Sequence, residues 1–124
     1  MSSPAMPYII LAIRAVVSLA FLAAGLAKLA GVQMMVETFE AIGWGQWFRY
    51  LTGVIEVGSV ALLWMPGRQW IGAGLLVCTM ICAVLFHILV LGPSAVPAIV
   101  LGLLSAVLLW RHRPGSTNWV QPEP

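Results

Sequence analysis

Long apolar stretches follow one another along nearly the whole chain, and they constrain its fold more than any other feature. A helix needs roughly 20 apolar residues to cross about 30 Å of hydrocarbon. The stretches predict four such helices, at 8–30, 47–65, 70–91 and 96–110. With 61% hydrophobic and 8% charged residues, the chain has too little charge to cover a soluble domain of its size. We therefore predict an all-α protein of the cell membrane, folded as one bundle of four transmembrane helices.

The connection between the first two predicted spans, residues 32–46, has a different composition. It mixes Glu37 and Glu40 with Val, Met and Phe, and the sequence "GWGQW" at 43–47 leads from it into the next span. Trp44 and Trp47 suit the headgroup level of a bilayer. This pattern favours an amphipathic segment that lies in the interface or re-enters the membrane, with an ordinary loop as the alternative. The polar, Pro-rich residues 111–124 are predicted to be a disordered tail.

Four spans place both ends of the chain on one side of the membrane. Residues 1–7 lack the positive region of a secretory signal, so the first helix is expected to be retained. The positive-inside rule compares the cations on the two sides. Three cations lie on the side of the termini, namely Arg68, Arg111 and Arg113. Two cations lie on the other side, namely Lys28 and Arg49. Both termini are therefore predicted to be cytoplasmic.

One face of the first helix carries its polar and small residues. Arg14, Ser18, Phe21, Gly25 and Lys28 follow a 4-3-4-3 spacing and so share that face. Small residues permit close approach of helices, whereas charged residues are costly in lipid. This face is therefore predicted to point into the bundle.

The depth of each charged residue suggests a partner for Arg14. At a rise of ~1.5 Å per residue, Arg14 lies ~9 Å and Glu56 ~14 Å from the cytoplasmic side. An arginine side chain can bridge the remaining ~5 Å, so an Arg14–Glu56 interaction is predicted. Such a pair either links two helices structurally or makes Glu56 a proton-active carboxylate in a cavity. The sequence leaves both alternatives open.

His87, late in the third span, is placed level with Lys28 and Arg49. It can carry protons, donate a hydrogen bond to a quinone or cap the helix, and we favour a structural role. The other histidine, His112, lies toward the opposite side, so a bis-histidine haem site is excluded. The candidate intramembrane polar site comprises Arg14, Lys28, Glu56 and His87, and no metal site is predicted.

Cys78 and Cys82 stand four residues apart on the third predicted helix. This spacing is poor for a disulfide unless the helix unwinds. They are interpreted as small packing residues rather than as a redox pair. A thiol-active role would require a second cysteine-bearing chain.

The residues placed above occur in an order that resembles the DoxX / DoxX-like family of small four-helix membrane proteins. An arginine in the first helix precedes "FLAAGLAK", which contains Gly-x-x-Lys. Phe39 follows, then "GVIEVGSVALLWMP" with its Gly-x-x-Glu, and "MICAVLFH" ends in His87. The resemblance extends from Arg14 to Arg111. Each motif alone is common, and their order and spacing carry the assignment.

The resemblance implies a functional class rather than a set of catalytic residues. It implies an accessory subunit or anchor of a quinone-linked, thiol or oxidative-stress oxidoreductase system. A membrane chaperone, or a small enzyme or carrier for a lipophilic substrate, are the alternatives. The chain has no haem, flavin or iron–sulfur motif, so no cofactor of its own is expected and a quinone is the candidate ligand. Expected partners are the bilayer, a redox enzyme or other membrane protein, and a second copy of the chain. The scattered positive charges argue against nucleic acid.

Overall fold

A computed structural model describes residues 4–92 and 94–114, and their regular structure is entirely helical. The five α-helices are α1 (Met6–Ala30), α2 (Gln33–Ile42), α3 (Gln46–Leu63), α4 (Gln69–Phe86) and α5 (Val96–His112). A π-helix, His87–Leu91, continues α4 without a break. The all-α prediction is confirmed for this part of the chain.

The four longer helices pack in sequence against one another. α1 packs on α3, α3 on α4 and α4 on α5, while α5 touches α1 along a shorter stretch. The short helix α2 lies against α3 and the π-helix at one end of the molecule. The core between the longer helices contains the fully buried apolar side chains Val17, Phe21, Leu63, Leu76 and Leu108.

Glycines set the register where α3 contacts its neighbours. A Cβ added at Gly25 would lie 2.8 Å from Val57 Cγ2 and 3.1 Å from the Gly53 carbonyl oxygen. A Cβ added at Gly72 would lie 2.5 Å from the Ser59 carbonyl oxygen. Because only a residue without a side chain fits at such distances, these contacts fix which turns of the helices lie side by side.

The surface of the molecule is apolar where a soluble protein would be polar. Large hydrophobic side chains are exposed along the helices, among them Leu19 (71%) and Leu89 (75%). Arg49 and Glu56, by contrast, are buried. Contiguous exposed apolar surface of this kind marks contact with lipid or protein. The helical segments Met6–Ala30 and Gln69–Leu91 are long and apolar enough to cross a membrane, with mean hydropathies of 2.4 and 2.7.

The helix boundaries depart from the predicted spans at several ends. α3 ends at Leu63, because the chain turns through Trp64 to Gly67. α5 continues to His112, so residues 111 and 112 are helical rather than part of a disordered tail. Residues 115–124 lie outside the described part of the chain. The segment 32–46 contains the helix α2, which rules out the loop alternative.

Candidate functional site

A buried ion pair joins α1 to α3. Lys28 Nζ donates to Glu56 Oε1 at 2.8 Å, and the side chains are 13% and 1% exposed. It is the only ion pair between side chains within residues 4–92 and 94–114. A carboxylate so deeply buried needs a partner of opposite charge, and Lys28 supplies it.

The ion pair follows from the glycine contacts between the same two helices. Gly25 and Gly53 bring the backbones of α1 and α3 together, and a Cβ at Gly25 would lie 3.2 Å from Glu56 Cβ. Lys28 lies one turn beyond Gly25, and its long side chain reaches Glu56. The motifs Gly-x-x-Lys and Gly-x-x-Glu therefore pack against each other. This repeated pattern is the sequence signal from which the pairing could have been predicted.

Arg49 is a second buried cation at this site, and sequence reasoning did not include it among the site residues. Its side chain is 5% exposed. Arg49 Nη1 donates to the carbonyl oxygen of Lys28, and Arg49 Nε donates to Gln46 Oε1 at 2.7 Å. A cation at the C-terminal end of a helix stabilises the exposed carbonyls and the helix dipole. Arg49 thus holds the end of α1 against the start of α3.

Gln46 extends this hydrogen-bond network to α2. Its Nε2 donates to the Val36 carbonyl oxygen at 3.1 Å and to Glu40 Oε1 at 3.0 Å. The bonds run from Glu40 through Gln46 and Arg49 to the backbone of Lys28, whose side chain then pairs with Glu56. The network connects the exposed helix α2 to the buried carboxylate of α3.

An aromatic cluster completes this end of the molecule. The ring of Phe48 lies 5.8 Å from Phe39, 5.0 Å from Trp44 and 6.0 Å from Phe86, measured between centroids. Aromatic pairs at such separations add to the stabilisation that burial provides. Because Phe39 belongs to α2 and Phe86 to α4, the cluster fixes α2 over the ends of both α3 and α4.

His87 directly follows Phe86 and so lies at the same end as Arg49. It is partly buried at the start of the π-helix, and its Nδ1 has no hydrogen-bond partner among the described residues. The Gly92 N–H donates to the His87 carbonyl oxygen at 3.0 Å and closes the π-turn. The structure therefore does not bring His87 into the Lys28–Glu56 network by a hydrogen bond.

The predicted Arg14–Glu56 interaction is wrong. The Arg14 guanidinium lies over the Trp64 ring, 4.8 Å from its centroid, at the far end of α3. Gly25, which faces Glu56, lies about 16 Å along α1 from Arg14 at 1.5 Å per residue. The prediction placed the start of α1 level with the α3–α4 turn, whereas the glycine contacts set a different register between α1 and α3.

The prediction that the face of α1 with 4-3-4-3 spacing points into the bundle is confirmed. Ser18, Phe21 and Gly25 are buried, and Arg14 and Lys28 are partly buried at its two ends. Cys78 and Cys82 are free, in agreement with the prediction that their spacing is poor for a disulfide, but both are exposed, so they do not pack inside the bundle as predicted. Within the described ranges, no group of three His, Cys, Asp or Glu side chains could hold a metal ion.

Comparisons with known proteins give one match to this chain. No curated protein and no solved structure matches the chain. The model of the DoxX-like family matches residues 12–110. This range begins before Arg14, includes the ion pair and the aromatic cluster, and ends within α5. The chain is therefore a helical protein of membrane type that belongs to the DoxX-like family.

Proposed function

We propose that α1, α3, α4 and α5 each cross the cell membrane, with both termini in the cytoplasm. The exposed apolar surface of the longer helices and the inward placement of Lys28, Arg49 and Glu56 support four spans. α3 is shorter than α1 and has more polar residues for its length, yet its two charged side chains, Arg49 and Glu56, are buried within the protein. Its 18 residues reach about 27 Å, which is close to the thickness of the hydrocarbon.

Within this topology, the protein serves as an accessory subunit or anchor of a membrane-associated oxidoreductase system. The observation that carries this proposal is the Lys28–Glu56 pair, whose charged groups bond each other across α1 and α3. A carboxylate bound in this way joins helices, so the site supports a scaffold better than a catalyst. The redox nature of the partner rests on the family resemblance, which implies quinone-linked and thiol or oxidative-stress enzymes.

Co-purification from the native host tests the redox partner. A tagged copy expressed from its own chromosomal position would be extracted in mild detergent, with another tagged multi-span protein of similar abundance as control. Quantitative mass spectrometry should find an oxidoreductase subunit near one-to-one stoichiometry that the control does not enrich. Enrichment of unrelated membrane proteins instead would favour a role as chaperone or assembly factor. Enrichment of no protein would contradict the proposed role as an anchor.

A groove between α4 and α5 favours a second candidate function, a carrier or enzyme for a lipophilic substrate. The groove has a volume of about 330 Å³ and is lined by apolar side chains that include Met80, Val84 and Ile99. Such a surface suits the isoprenoid tail of a quinone, while the polar head would need donors outside it. Organic extraction of the purified protein should then release stoichiometric quinone, and Gly102→Leu should reduce that amount. Quinone at the level of the control protein would exclude this candidate.

A further inference from the structure

The carboxylate of Glu56 has two oxygens, and Lys28 provides a donor for only one of them. Lys28 Nζ donates to Oε1 at 2.8 Å, and no group among the described residues donates to Oε2. An ionised carboxylate offers about four acceptor positions on its two oxygens. Glu56 is only 1% exposed, so bulk water does not surround it as it surrounds a carboxylate at the surface. The second oxygen therefore needs a donor inside the protein.

A second buried polar group without a partner lies one turn further along α3. Ser59 is 1% exposed, and its Oγ has no hydrogen-bond partner among the described residues. In folded proteins the large majority of buried side-chain polar atoms have at least one partner, which is either a protein group or an ordered water molecule. The hydroxyl of Ser59 therefore needs a partner that the described side chains and backbone do not supply.

Two other buried serines in the described part of the chain show how this bundle satisfies a hydroxyl. Ser105 Oγ donates to the Leu101 carbonyl oxygen of its own helix at 2.8 Å. Ser18 Oγ accepts a hydrogen bond from Trp64 Nε1 at 2.8 Å. Ser59 makes neither kind of bond. Its hydroxyl is therefore available to a partner other than its own helix or a neighbouring side chain.

Glu56 and Ser59 are neighbours on one face of α3. They are three residues apart, and Cβ atoms at this spacing lie about 5–6 Å from each other. The two side chains do not hydrogen-bond each other directly. One water molecule spans such a gap, since it can donate to Glu56 Oε2 and also bond the Ser59 hydroxyl. Buried water molecules in proteins occupy sites of this kind, between polar groups that are otherwise unsatisfied.

We propose that one water molecule is bound inside the bundle and bridges Glu56 Oε2 and Ser59 Oγ. It gives the second carboxylate oxygen a donor without a second cation, and it gives the Ser59 hydroxyl a partner. The polar site is then a hydrated ion pair that extends from Lys28 through Glu56 to Ser59. The proposal rests on side chains of this chain alone, so the number of spans and the identity of a redox partner do not affect it.

Thermal unfolding of Ser59→Ala in detergent tests the water site by the sign of the effect. An unpartnered buried hydroxyl is costly, so without the water its removal should leave the unfolding temperature unchanged or raise it. With the water, Ser59→Ala removes a hydrogen bond and should lower the unfolding temperature by about 3–5 °C. Ser105→Ala is the matched control, because it makes the same substitution at a buried helix position and removes only a bond within its own helix. An unfolding temperature no lower than that of Ser105→Ala would overturn the water site.

A second background distinguishes the water from lost packing, which would also lower the unfolding temperature. In the Lys28→Met/Glu56→Met variant the water has no carboxylate acceptor. Adding Ser59→Ala to this variant should therefore cause no further loss of stability. A loss as large as in the wild-type background would assign the effect to packing and overturn the water site.

Infrared spectroscopy gives a readout that does not depend on the stability of that double variant. Glu56→Gln assigns the carboxylate stretching bands of Glu56 by their loss. Ser59→Ala should shift these bands, because the water that bonds Oε2 is lost, whereas Ser105→Ala should leave them in place. Bands that stay unchanged in Ser59→Ala would show that Ser59 and Glu56 share no water and would overturn the proposal.

Discussion

At the scale of single residues, the Lys28–Glu56 pair determines how α1 and α3 meet. Removing two charges from water is costly, and their attraction repays that cost only when the geometry is good. The 2.8 Å bond between Lys28 Nζ and Glu56 Oε1 meets this condition. Loss of either partner leaves the other charge buried and unpaired, which costs more than the intact pair contributes.

A double-mutant cycle of Lys28 and Glu56 should reveal this asymmetry. Lys28→Met and Glu56→Met should each destabilise the folded protein by about 3–5 kcal/mol, the usual cost of breaking a buried pair. The double variant should recover most of the loss, because two apolar side chains replace two matched charges. Thermal unfolding in detergent, followed by tryptophan fluorescence, measures all three variants.

Glu37→Gln provides the control for this cycle, since Glu37 is exposed on α2 and its carboxylate accepts a hydrogen bond only from Gln33 among the described residues. It should leave the unfolding temperature within the error of the wild type. Additive losses in the double variant would show that Lys28 and Glu56 do not interact.

At the scale of helices, close contacts at glycine decide which residues become neighbours. Gly72 of α4 packs directly against the backbone of α3 at Ser59. At Gly58, on the same helix as Ser59, an added Cβ would point into open space, with no neighbouring helix of the described chain within 4 Å. Substitutions at these two glycines therefore distinguish the effect of helix packing on stability from that of helix propensity.

Gly72→Ala should destabilise the protein by about 1–3 kcal/mol, because the added methyl group forces α3 and α4 apart. Gly58→Ala should be neutral or stabilise it by up to about 1 kcal/mol, because alanine favours the helix and meets no neighbour. Unfolding temperatures in the same detergent compare the two variants. A loss of stability in Gly58→Ala as large as in Gly72→Ala would contradict the helix register described above.

The network around Arg49 makes a separate prediction for α2. Arg49→Met should remove the two hydrogen bonds that Arg49 donates, one to the Lys28 carbonyl oxygen and one to Gln46 Oε1. Amide hydrogen exchange should then become faster in residues 27–46, while α5 keeps its protection. Tyr50→Phe, which retains the ring over which the Arg49 guanidinium lies at 4.3 Å, should leave the exchange of residues 27–46 unchanged. Uniform acceleration across all helices would instead indicate global destabilisation.

These helices also show how far the sequence could predict the structure. The lengths of the apolar stretches predicted α1, α4 and α5 within a few residues of their ends, because the length of a stretch can be read from each segment of the sequence by itself. The partner of Glu56 could not be predicted from depth, since it depends on how α1 slides along α3. That offset is decided at Gly25 and Gly53, where two backbones touch. The π-helix at His87–Leu91 had no sequence signal beyond the following Gly92 and Pro93.

At the scale of the whole molecule, apolar residues face outward and charges are either buried or gathered at the two ends. Four arginines lie at the end formed by the start of α1, the α3–α4 turn and the end of α5, which we call the basic end: Arg14, Arg68, Arg111 and Arg113. The opposite end contains α2 and the α4–α5 connection. Anionic lipids and the positive-inside rule both favour a cytoplasmic basic end. The proposed orientation, with both termini in the cytoplasm, rests on this distribution of arginines.

Cysteine labelling in intact cells tests this orientation. Cys78→Ala and Cys82→Ala first remove the native thiols, and single cysteines are then introduced at exposed positions by Pro4→Cys, Ser94→Cys or Pro114→Cys. A membrane-impermeant maleimide should label only the Ser94→Cys variant, because the α4–α5 connection lies opposite the basic end. The other two should react only after permeabilisation, which also verifies that their thiols are accessible. Labelling of Pro4→Cys and Pro114→Cys in intact cells, with Ser94→Cys protected, would invert the topology. Labelling of only one terminus would show an odd number of spans, and α3, the least apolar of the four longer helices, would then be the one that does not cross.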